Sequence, residues 1–413
     1  MMSKTVIKSV LLLTSATLLL LVATRLRHSV YDNTENLPDP PARILLEKKF
    51  SEASHALAFD GKTVTIVDPM GIHFVNVESS VVTEPQLEGS IKNRAGEARP
   101  ILMEGDGAYV SLGDIVFYVS VAKPPKTVYQ FSSRIRWTAS QKDYAVILTK
   151  DGDVALLADG QVKILSHEVT TVDAIKVRDH IELIKAGKEE SSTRKITKEG
   201  FKETCTVKGE MVTWMILSED SKTATGLVAS ENRGANSASF VGIDCPKKAL
   251  SWKKSVYRDF LNGAKGQEHL YNQGQFSLPF ACGVAYCASL SVAGNTIVGG
   301  TDSGVLCVEP ASGQKLIHHF LSSKGSGVAR LAPAICSGNR LVMFQNIKPV
   351  LLTQTIPAKV ETVQPYMDEA SNSILYKAID HSSFATNVII LPIAAGGRIA
   401  FVTGKSELVV IGK

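Results

Sequence analysis

Cysteine, histidine and serine residues are the side chains of this sequence whose types and spacing could support chemistry. No Cys-x-x-Cys pair occurs among the six cysteines, so the spacing typical of a structural zinc site is missing. His318 and His319 are adjacent on a predicted strand, where successive side chains point to opposite faces and cannot easily bind one metal ion together. Ser303 lies between two predicted strands, which fits neither a nucleophile elbow nor a phosphate-binding loop. We therefore predict no catalytic residue, no metal site and no cofactor.

The cysteines could instead form disulfides. Cys282 and Cys287 could close a short hairpin loop, provided that their Cα atoms lie within about 7 Å. Cys205 and Cys245 could join neighbouring structural repeats, because their spacing is close to one repeat length. The alternative is that the cysteines are small buried hydrophobic residues, as Cys307 suggests by its place between apolar neighbours.

An apolar segment near the N-terminus is long enough to be a membrane-spanning helix. The run from Val6 to Thr24 approaches the ~20 residues that cross a bilayer, provided that Lys8 extends to the headgroups. Arg25 and Arg27 follow directly, which favours an uncleaved anchor over a cleaved signal peptide or an organelle-targeting segment. The residues predicted to form its core are Val10, Leu11, Leu12, Leu13, Leu18, Leu19, Leu20, Leu21, Val22 and Ala23.

The short N-terminal flank predicts which side of the membrane holds the rest of the chain. A cytosolic flank places the body in a periplasm or a lumen. The absence of any Asn-x-Ser/Thr glycosylation site favours the periplasmic side of a bacterial inner membrane over a eukaryotic lumen. We predict a stub and anchor over residues 1–30, a Pro/Asn-rich linker over 31–43 that holds the body off the membrane, and a folded body over 44–413.

The composition of the 413-residue chain is that of an ordinary folded protein. Hydrophobic residues make up 44% and charged residues 21%, so the chain can bury a sizeable core and is not intrinsically disordered. The 45 basic and 40 acidic residues give a formal net charge of +5. This excess is too small over this length to indicate a nucleic-acid-binding protein.

From Ile44 onward the sequence has the pattern of an all-β protein. Runs of β-branched and aromatic residues alternate with Asp-Gly and other glycine-containing turns, which supply the positive φ angles of tight hairpins. We predict hairpins at 64–77, 108–121 and 144–165. No amphipathic helix of twelve or more residues is evident.

The spacing of the repeats favours a β-propeller over a sandwich or barrel. Asp60-Gly61 and Asp106-Gly107 begin comparable turn-strand units, as do the segments that start at Gly294, Gly338 and Gly397. A period in the mid-forties with four short strands is that of a propeller blade. The body is long enough for seven or eight blades.

The two ends of the body are predicted to pair and close the ring. The strands 399–402 and 408–411 form a hairpin, and their expected N-terminal partner is the segment 42–51, in particular Ile44 to Leu46. Such closure leaves no open sheet edge.

Residues 293–317 carry a family resemblance. Their Gly-rich turn at 301–304 and their Ser-Gly-Gln-Lys turn at 312–315 resemble a blade of the pyrroloquinoline-quinone-like (WD40/YVTN-type) β-propeller superfamily. The resemblance implies either a quinone-dependent dehydrogenase or a binding scaffold. The enzymes use a calcium-bound quinone, an aspartate base and adjacent paired cysteines, and this chain has no Cys-Cys pair.

We therefore predict a membrane-anchored, non-enzymatic β-propeller that is a scaffold for other envelope or membrane proteins. One alternative is a propeller that senses a small molecule or polysaccharide in its central channel. A quinone-dependent dehydrogenase has less support. No nucleic-acid partner is expected.

Overall fold

A computed structural model gives the structure of the chain. It describes residues 30–32, 37–50, 56–168, 172–177, 180–218, 220–229, 238–255, 275–282, 285–291, 302–308, 312–322, 334–337, 340–345, 348–354, 360–371, 389–403 and 407–413.

These residues form eight sheets, seven with four antiparallel strands and one with a fifth strand added in parallel, and we call each sheet a blade. The first two described strands are β1 (Val30–Asp32) and β2 (Arg43–Lys49). Blades 1 to 4 are β3 (Ala56–Phe59), β4 (Thr63–Asp68), β5 (Gly71–Asn76), β6 (Val82–Thr83); β7 (Arg99–Glu104), β8 (Gly107–Leu112), β9 (Ile115–Ser120), β10 (Lys126–Gln130); β11 (Ile135–Ser140), β12 (Tyr144–Thr149), β13 (Asp153–Ala158), β14 (Gln161–His167); and β15 (Val172–Val177), β16 (His180–Lys185), β17 (Glu190–Thr197), β18 (Gly200–Lys208).

The remaining blades repeat the same plan, with two additions from the N-terminal strands. Blades 5 to 8 are β19 (Val212–Leu217), β20 (Thr223–Ala229), β21 (Ala238–Asp244), β22 (Ala249–Ser255); β23 (Gln275–Cys282), β24 (Ala285–Ser291), β25 (Asp302–Val308), β26 (Lys315–Ser322); β27 (Ala334–Ser337), β28 (Arg340–Gln345), β29 (Lys348–Gln354), β30 (Val360–Pro365); and β31 (Ile389–Ala395), β32 (Arg398–Thr403), β33 (Glu407–Gly412). Strand β2 completes blade 8, and β1 joins blade 7 as a fifth strand. A short helix α1 (Gly89–Asn93) and a 3-10 turn (Ala95–Glu97) connect blades 1 and 2.

The strand order within the blades defines a channel and two faces. The first strands of several neighbouring blades contact one another, as β3 does with β7 and β31, so the first strands line a central channel. Antiparallel order then places the turns between first and second strands, and between third and fourth strands, at the same end. We call this end the turn face. The opposite end, with the second-to-third turns and the connections between blades, is the loop face.

Local turn chemistry builds the predicted hairpins. At the first turn of blade 1, the Asp60 carboxylate accepts hydrogen bonds from the backbone N–H groups of Lys62 and Thr63, at 2.8 and 2.7 Å. Gly61 adopts a φ of +97°, in the region that favours glycine. The predicted pairs at 64–77, 108–121 and 144–165 are confirmed as β4–β5, β8–β9 and β12–β13–β14.

The ring closes by pairing its two ends, which confirms the sequence prediction. Ile44 of β2 is opposite Ile411 of β33, and Leu46 is opposite Val410. The side chains from Leu408 to Ile411 are at most 1% exposed. They belong to two buried clusters, one shared with Val342 and Tyr366 near blade 7 and the other with blade 1.

The described residues before β2 also pack on the body. Leu37 and Ala42 are buried, and the Ala42 N–H donates to the Tyr366 carbonyl at 2.8 Å. The hydroxyl of Tyr366, itself fully buried, donates to the Pro38 carbonyl at 2.6 Å. The part of the predicted linker that lies at 37–42 is therefore packed against the end of blade 7 and blade 8 and is not a free spacer. The domain boundaries themselves stay predictions.

A disulfide joins blades 4 and 5. Cys205 of β18 is bonded to Cys245, which directly follows β21. Cys205 is fully buried between the two sheets and belongs to a cluster with Met215 and Val241. The bond therefore supplements the apolar packing that holds these neighbouring blades together.

Replacing both cysteines, as in Cys205→Ala/Cys245→Ala, is expected to lower the free energy of unfolding. The bond closes a loop with a sequence separation of 40 residues, and such a loop corresponds to about 4 kcal/mol in the chain-entropy account. Chemical denaturation of the oxidised parent, the reduced parent and the variant measures the effect. The reduced parent should resemble the variant, and an unchanged midpoint in the variant would contradict a structural role.

No helix among the described residues is both long and apolar enough to span a bilayer. The predicted anchor, with its core at 10–23, lies outside the described residues and stays a prediction.

Candidate functional site

A group of charged and tyrosine side chains lies on the turn face of blades 2, 3 and 4. The carboxylates come from three turns: β7–β8, β11–β12 and β13–β14. One lysine comes from the β17–β18 turn, and the two tyrosines come from β8 and β9. We call this group the acidic patch, and its members are Glu104, Asp106, Tyr109, Tyr118, Asp143, Asp159 and Lys198.

Tyr118 forms the centre of the blade 2 part of the patch. Its hydroxyl lies 3.0 Å from both the Glu104 carbonyl and the Asp106 carboxylate, to which it donates its proton. The ring lies over Gly107, where an added Cβ would be 2.8 Å from the ring carbon Cζ. The same Cβ would also overlap the Val119 backbone carbonyl oxygen, so a larger residue at 107 would clash with the β9 backbone as well as with the ring. Burial, followed by the hydrogen bond to Asp106, raises the pKa of Tyr118 to about 12.

Tyr109 connects blade 2 to blade 3. Its ring centre lies 5.1 Å from that of Tyr118 in a tilted arrangement. An added Cβ on Gly160, in the β13–β14 turn, would be 3.2 Å from the Tyr109 hydroxyl. Burial, followed by a hydrogen bond to the Glu104 side chain, raises the pKa of Tyr109. The two tyrosines are thus fixed neutral groups between exposed carboxylates.

Lys198 connects blade 3 to blade 4 across the same face. Its Nζ lies 2.7 Å from Asp159 and 3.9 Å from Asp143. The hydrogen bond with Asp159 is the main cause of the raised pKa of Lys198. The side chains of Asp159 and Asp143 remain 74% and 59% exposed, so both can contact another molecule while they hold the lysine.

The composition of the acidic patch favours binding of a cationic group. The turns that form the patch carry four carboxylates against Lys198 and the exposed Lys142, which precedes Asp143, so their formal charge is −2 at neutral pH. The tyrosine rings add apolar and π surface beside the carboxylates, a combination that suits arginine or lysine side chains. Among the described residues, no three histidine, cysteine, aspartate or glutamate side chains are grouped so that they could hold a metal ion.

The tyrosines predict a distinct behaviour at high pH. Because the folded pKa of Tyr118 is above its ordinary value of 10, its contribution to stability is fully present below pH 10 and is lost as the pH rises through about 12. Titration followed by tyrosinate absorbance should show a group near pH 12 that Tyr118→Phe removes. Loss of a group near pH 10 instead would contradict the described contacts.

A second polar cluster is buried and connects blades 3, 4 and 5. The carboxylate of Glu182, which is fully buried, accepts hydrogen bonds from the Thr193 hydroxyl at 2.7 Å and the Leu217 N–H at 3.0 Å. His180 Nε2 lies 3.0 Å from the same carboxylate, and the Gln141 side chain donates to the His180 carbonyl at 2.6 Å. Because Glu182 has no exposed surface, we interpret this cluster as structural.

The cysteines that the sequence singles out lie in two different settings. Cys205 and Cys245 are bonded. Cys282 and Cys287 lie on the paired strands β23 and β24 but are not opposite each other, since Cys287 is opposite Phe280 on one side and Cys307 on the other. The side chains of these strands are outside the described set, so a Cys282–Cys287 bond stays a prediction.

Sequence reasoning did not find the acidic patch. Its members come from three blades, between residues 104 and 198, and the charged ones resemble ordinary polar turn residues. The sequence feature that could have predicted the patch is the pair of Asp-Gly turns at 106–107 and 159–160, because the propeller brings both turns to one face.

Comparisons with known proteins support the fold. The chain is similar to a computationally designed protein, Ika8, with 12% identity, a TM-score of 0.52, and coverage of 90% of this chain and 100% of that one. It is similar to the Dos1 propeller, with 9% identity, a TM-score of 0.53, and coverage of 90% and 95%. It is also similar to Sqt1 of Saccharomyces cerevisiae, with 11% identity, a TM-score of 0.50, and coverage of 91% and 99%.

The prediction of an all-β propeller is thereby confirmed. No protein-family model and no curated protein sequence matches the chain. At these identities the likeness establishes the fold and assigns no subfamily.

Proposed function

We propose that this protein is a single-pass membrane-anchored scaffold that binds another envelope or membrane protein through the acidic patch. The partner contributes a segment with exposed lysine or arginine side chains. The observation that carries the proposal is the group of four carboxylates and two fixed tyrosines that blades 2 and 3 present together on the turn face.

The construction of the patch supports a binding role. The tyrosine hydroxyls are already held by Glu104 and Asp106, and the turns that bear the carboxylates belong to packed sheets. Few side chains must therefore be ordered when a partner binds, which reduces the entropic cost of association. The excess of negative charge also accelerates the encounter with a basic surface.

The membrane attachment and the periplasmic location rest on the sequence. The leucine-rich run at 10–23 favours insertion, because each central Leu or Val contributes roughly −0.3 to −0.6 kcal/mol. The flanking lysines and arginines can reach the two interfaces. Carbonate extraction with N-terminal sequencing tests the anchor, and a soluble species that begins near residue 24 would contradict it.

A small-molecule ligand in the central channel has less support. Strand β1 pairs with β27, a first strand that lines the channel, so the chain itself occupies part of that space.

Removing negative charge from the acidic patch tests the proposal. Asp106→Asn/Asp159→Asn removes two charges, and at about 0.2–1 kcal/mol for each exposed ion pair we expect roughly tenfold weaker partner capture. Capture is measured by chemical crosslinking in intact membranes, followed by identification of the crosslinked segments by mass spectrometry.

The control variant makes the same charge change on the loop face, at the exposed residues Asp151 and Glu189 (Asp151→Asn/Glu189→Gln). It should capture the partner as the parent does. Equal capture by the patch variant, or a crosslinked segment without basic residues, would refute the proposal.

A further inference from the structure

Strand β1, the first strand among the described residues, lies inside the propeller channel. Val30, Tyr31 and Asp32 pair in parallel with Ala334, Ile335 and Cys336 of β27. The other edge of β27 is paired with β28, so β1 occupies the edge that faces the channel. Strand β1 also contacts β15 and β23, the first strands of blades 4 and 6. Three first strands therefore surround it.

The parallel pairing fixes the direction in which the chain passes through the channel. Every first strand runs from the loop face to the turn face, because it follows a connection on the loop face and precedes a turn on the turn face. Strand β1 runs the same way as β27. Val30 is consequently the end of β1 nearer the loop face, and Asp32 is the end nearer the turn face.

The downstream chain agrees with this direction. Strand β2 begins at Arg43, opposite Gly412 at the end of β33. Strand β33 is a third strand and ends at the turn face. The chain that leaves β1 at the turn face is thus continuous with a strand that starts at the turn face.

We propose that the loop face of the propeller lies against the membrane and that the acidic patch faces away from it. This inference rests on the proposed membrane anchor. Between the predicted core of the span, which ends at residue 23, and β1 there are six residues, which reach at most about 20 Å. The anchor and the channel opening on the loop face are therefore close together.

This orientation of the propeller restricts the kind of partner that can reach the acidic patch. Strands of about six residues separate the two faces by about 20 Å. The acidic patch is then held away from the lipid headgroups and is open to a protein in the aqueous compartment. Met70, which is 71% exposed in the β4–β5 turn on the loop face, is placed on the membrane side.

The first arm of the test examines the passage through the channel. Asp32→Cys puts a second cysteine at the register position opposite Cys336, and mild oxidation of the full chain should produce a 32–336 disulfide that peptide mapping detects. Asp39→Cys is the control, because Asp39 has a 70% exposed side chain and pairs with Lys413 on the surface. Absence of the 32–336 disulfide would contradict the placement of β1 in the channel. A disulfide between residue 39 and Cys336 at an equal level in the control would contradict it too.

The second arm examines orientation in vesicles of phosphatidylethanolamine and phosphatidylglycerol. A fluorescent non-canonical amino acid replaces Met70 on the loop face or Val121 on the turn face, which is 41% exposed. A headgroup-attached lipid quencher should quench the Met70 position several-fold more strongly than the Val121 position.

The outcomes separate the two proposals. Equal or stronger quenching at Val121 in vesicle-bound protein overturns the orientation and leaves the anchor standing. Failure of the full chain to float with the vesicles refutes the anchor and the orientation together. The disulfide experiment of the first arm still tests whether β1 lies in the channel.

Discussion

Removal of residues 408–413 is expected to unfold the whole propeller rather than one blade. The deletion takes away the third strand of blade 8 and leaves β2 without its partner. The four side chains from Leu408 to Ile411 are almost fully buried, and at about 1.5–3 kcal/mol each they represent roughly 6–12 kcal/mol. This is comparable to the total stability of a typical domain.

The control for this deletion is removal of Lys413 alone. Its side chain is 65% exposed and forms one surface ion pair with Asp39, which contributes little. Calorimetry should show a melt near that of the parent for the control and no cooperative melt for the longer deletion. A cooperative melt of undiminished enthalpy in the longer deletion would refute closure by β2 and β33.

Glu182→Ala is expected to be the most damaging single substitution in the polar interior. It removes the acceptor for the Leu217 N–H and the Thr193 hydroxyl and leaves His180 without its carboxylate partner. Buried groups without partners cost about 1–3 kcal/mol each, so we expect a loss of about 3–5 kcal/mol. The free energy of unfolding in urea measures the change.

The matched control is Glu189→Ala, at an exposed glutamate of the same blade. Its side chain is on the surface, so a change within about 0.5 kcal/mol is expected. If Glu182→Ala unfolds the chain entirely, Glu182→Gln provides a milder variant that keeps one carbonyl acceptor. A Glu182→Gln variant and a Glu182→Ala variant that both match the control would contradict the described network.

The sequence predicted those parts of the fold that depend on local patterns. Asp-Gly turns between β-branched runs predicted the hairpins, since backbone conformation at a turn depends on the turn residues themselves. The closure of the propeller ring was also predictable. The apolar segments at Ile44–Leu46 and Leu408–Ile411 both need a partner strand, and they lie at the two ends of the body.

The sites depend on distant residues, and the sequence predicted them poorly. The acidic patch exists because the ring brings the turns of blades 2, 3 and 4 to one face, and no short motif records this. Glu182 has the sequence context of an exposed strand residue, since only the neighbouring blade supplies the Leu217 N–H. The sequence places Val30 at the end of the anchor region and Tyr31 and Asp32 in the linker, because three residues carry too little periodicity to predict a strand.

Photo-crosslinking from β14 tests the proposed binding surface most directly. Gln161 is exposed beside the acidic patch, and Ile164 is 40% exposed farther along the same strand. A photoreactive amino acid at 161 is predicted to give a protein adduct in intact membranes that the Asp106→Asn/Asp159→Asn change greatly reduces, whereas the same group at 164 or at Met70 gives none. Adducts at 164 or 70 without one at 161, or an adduct at 161 that is insensitive to neutralisation of the patch, would contradict the account.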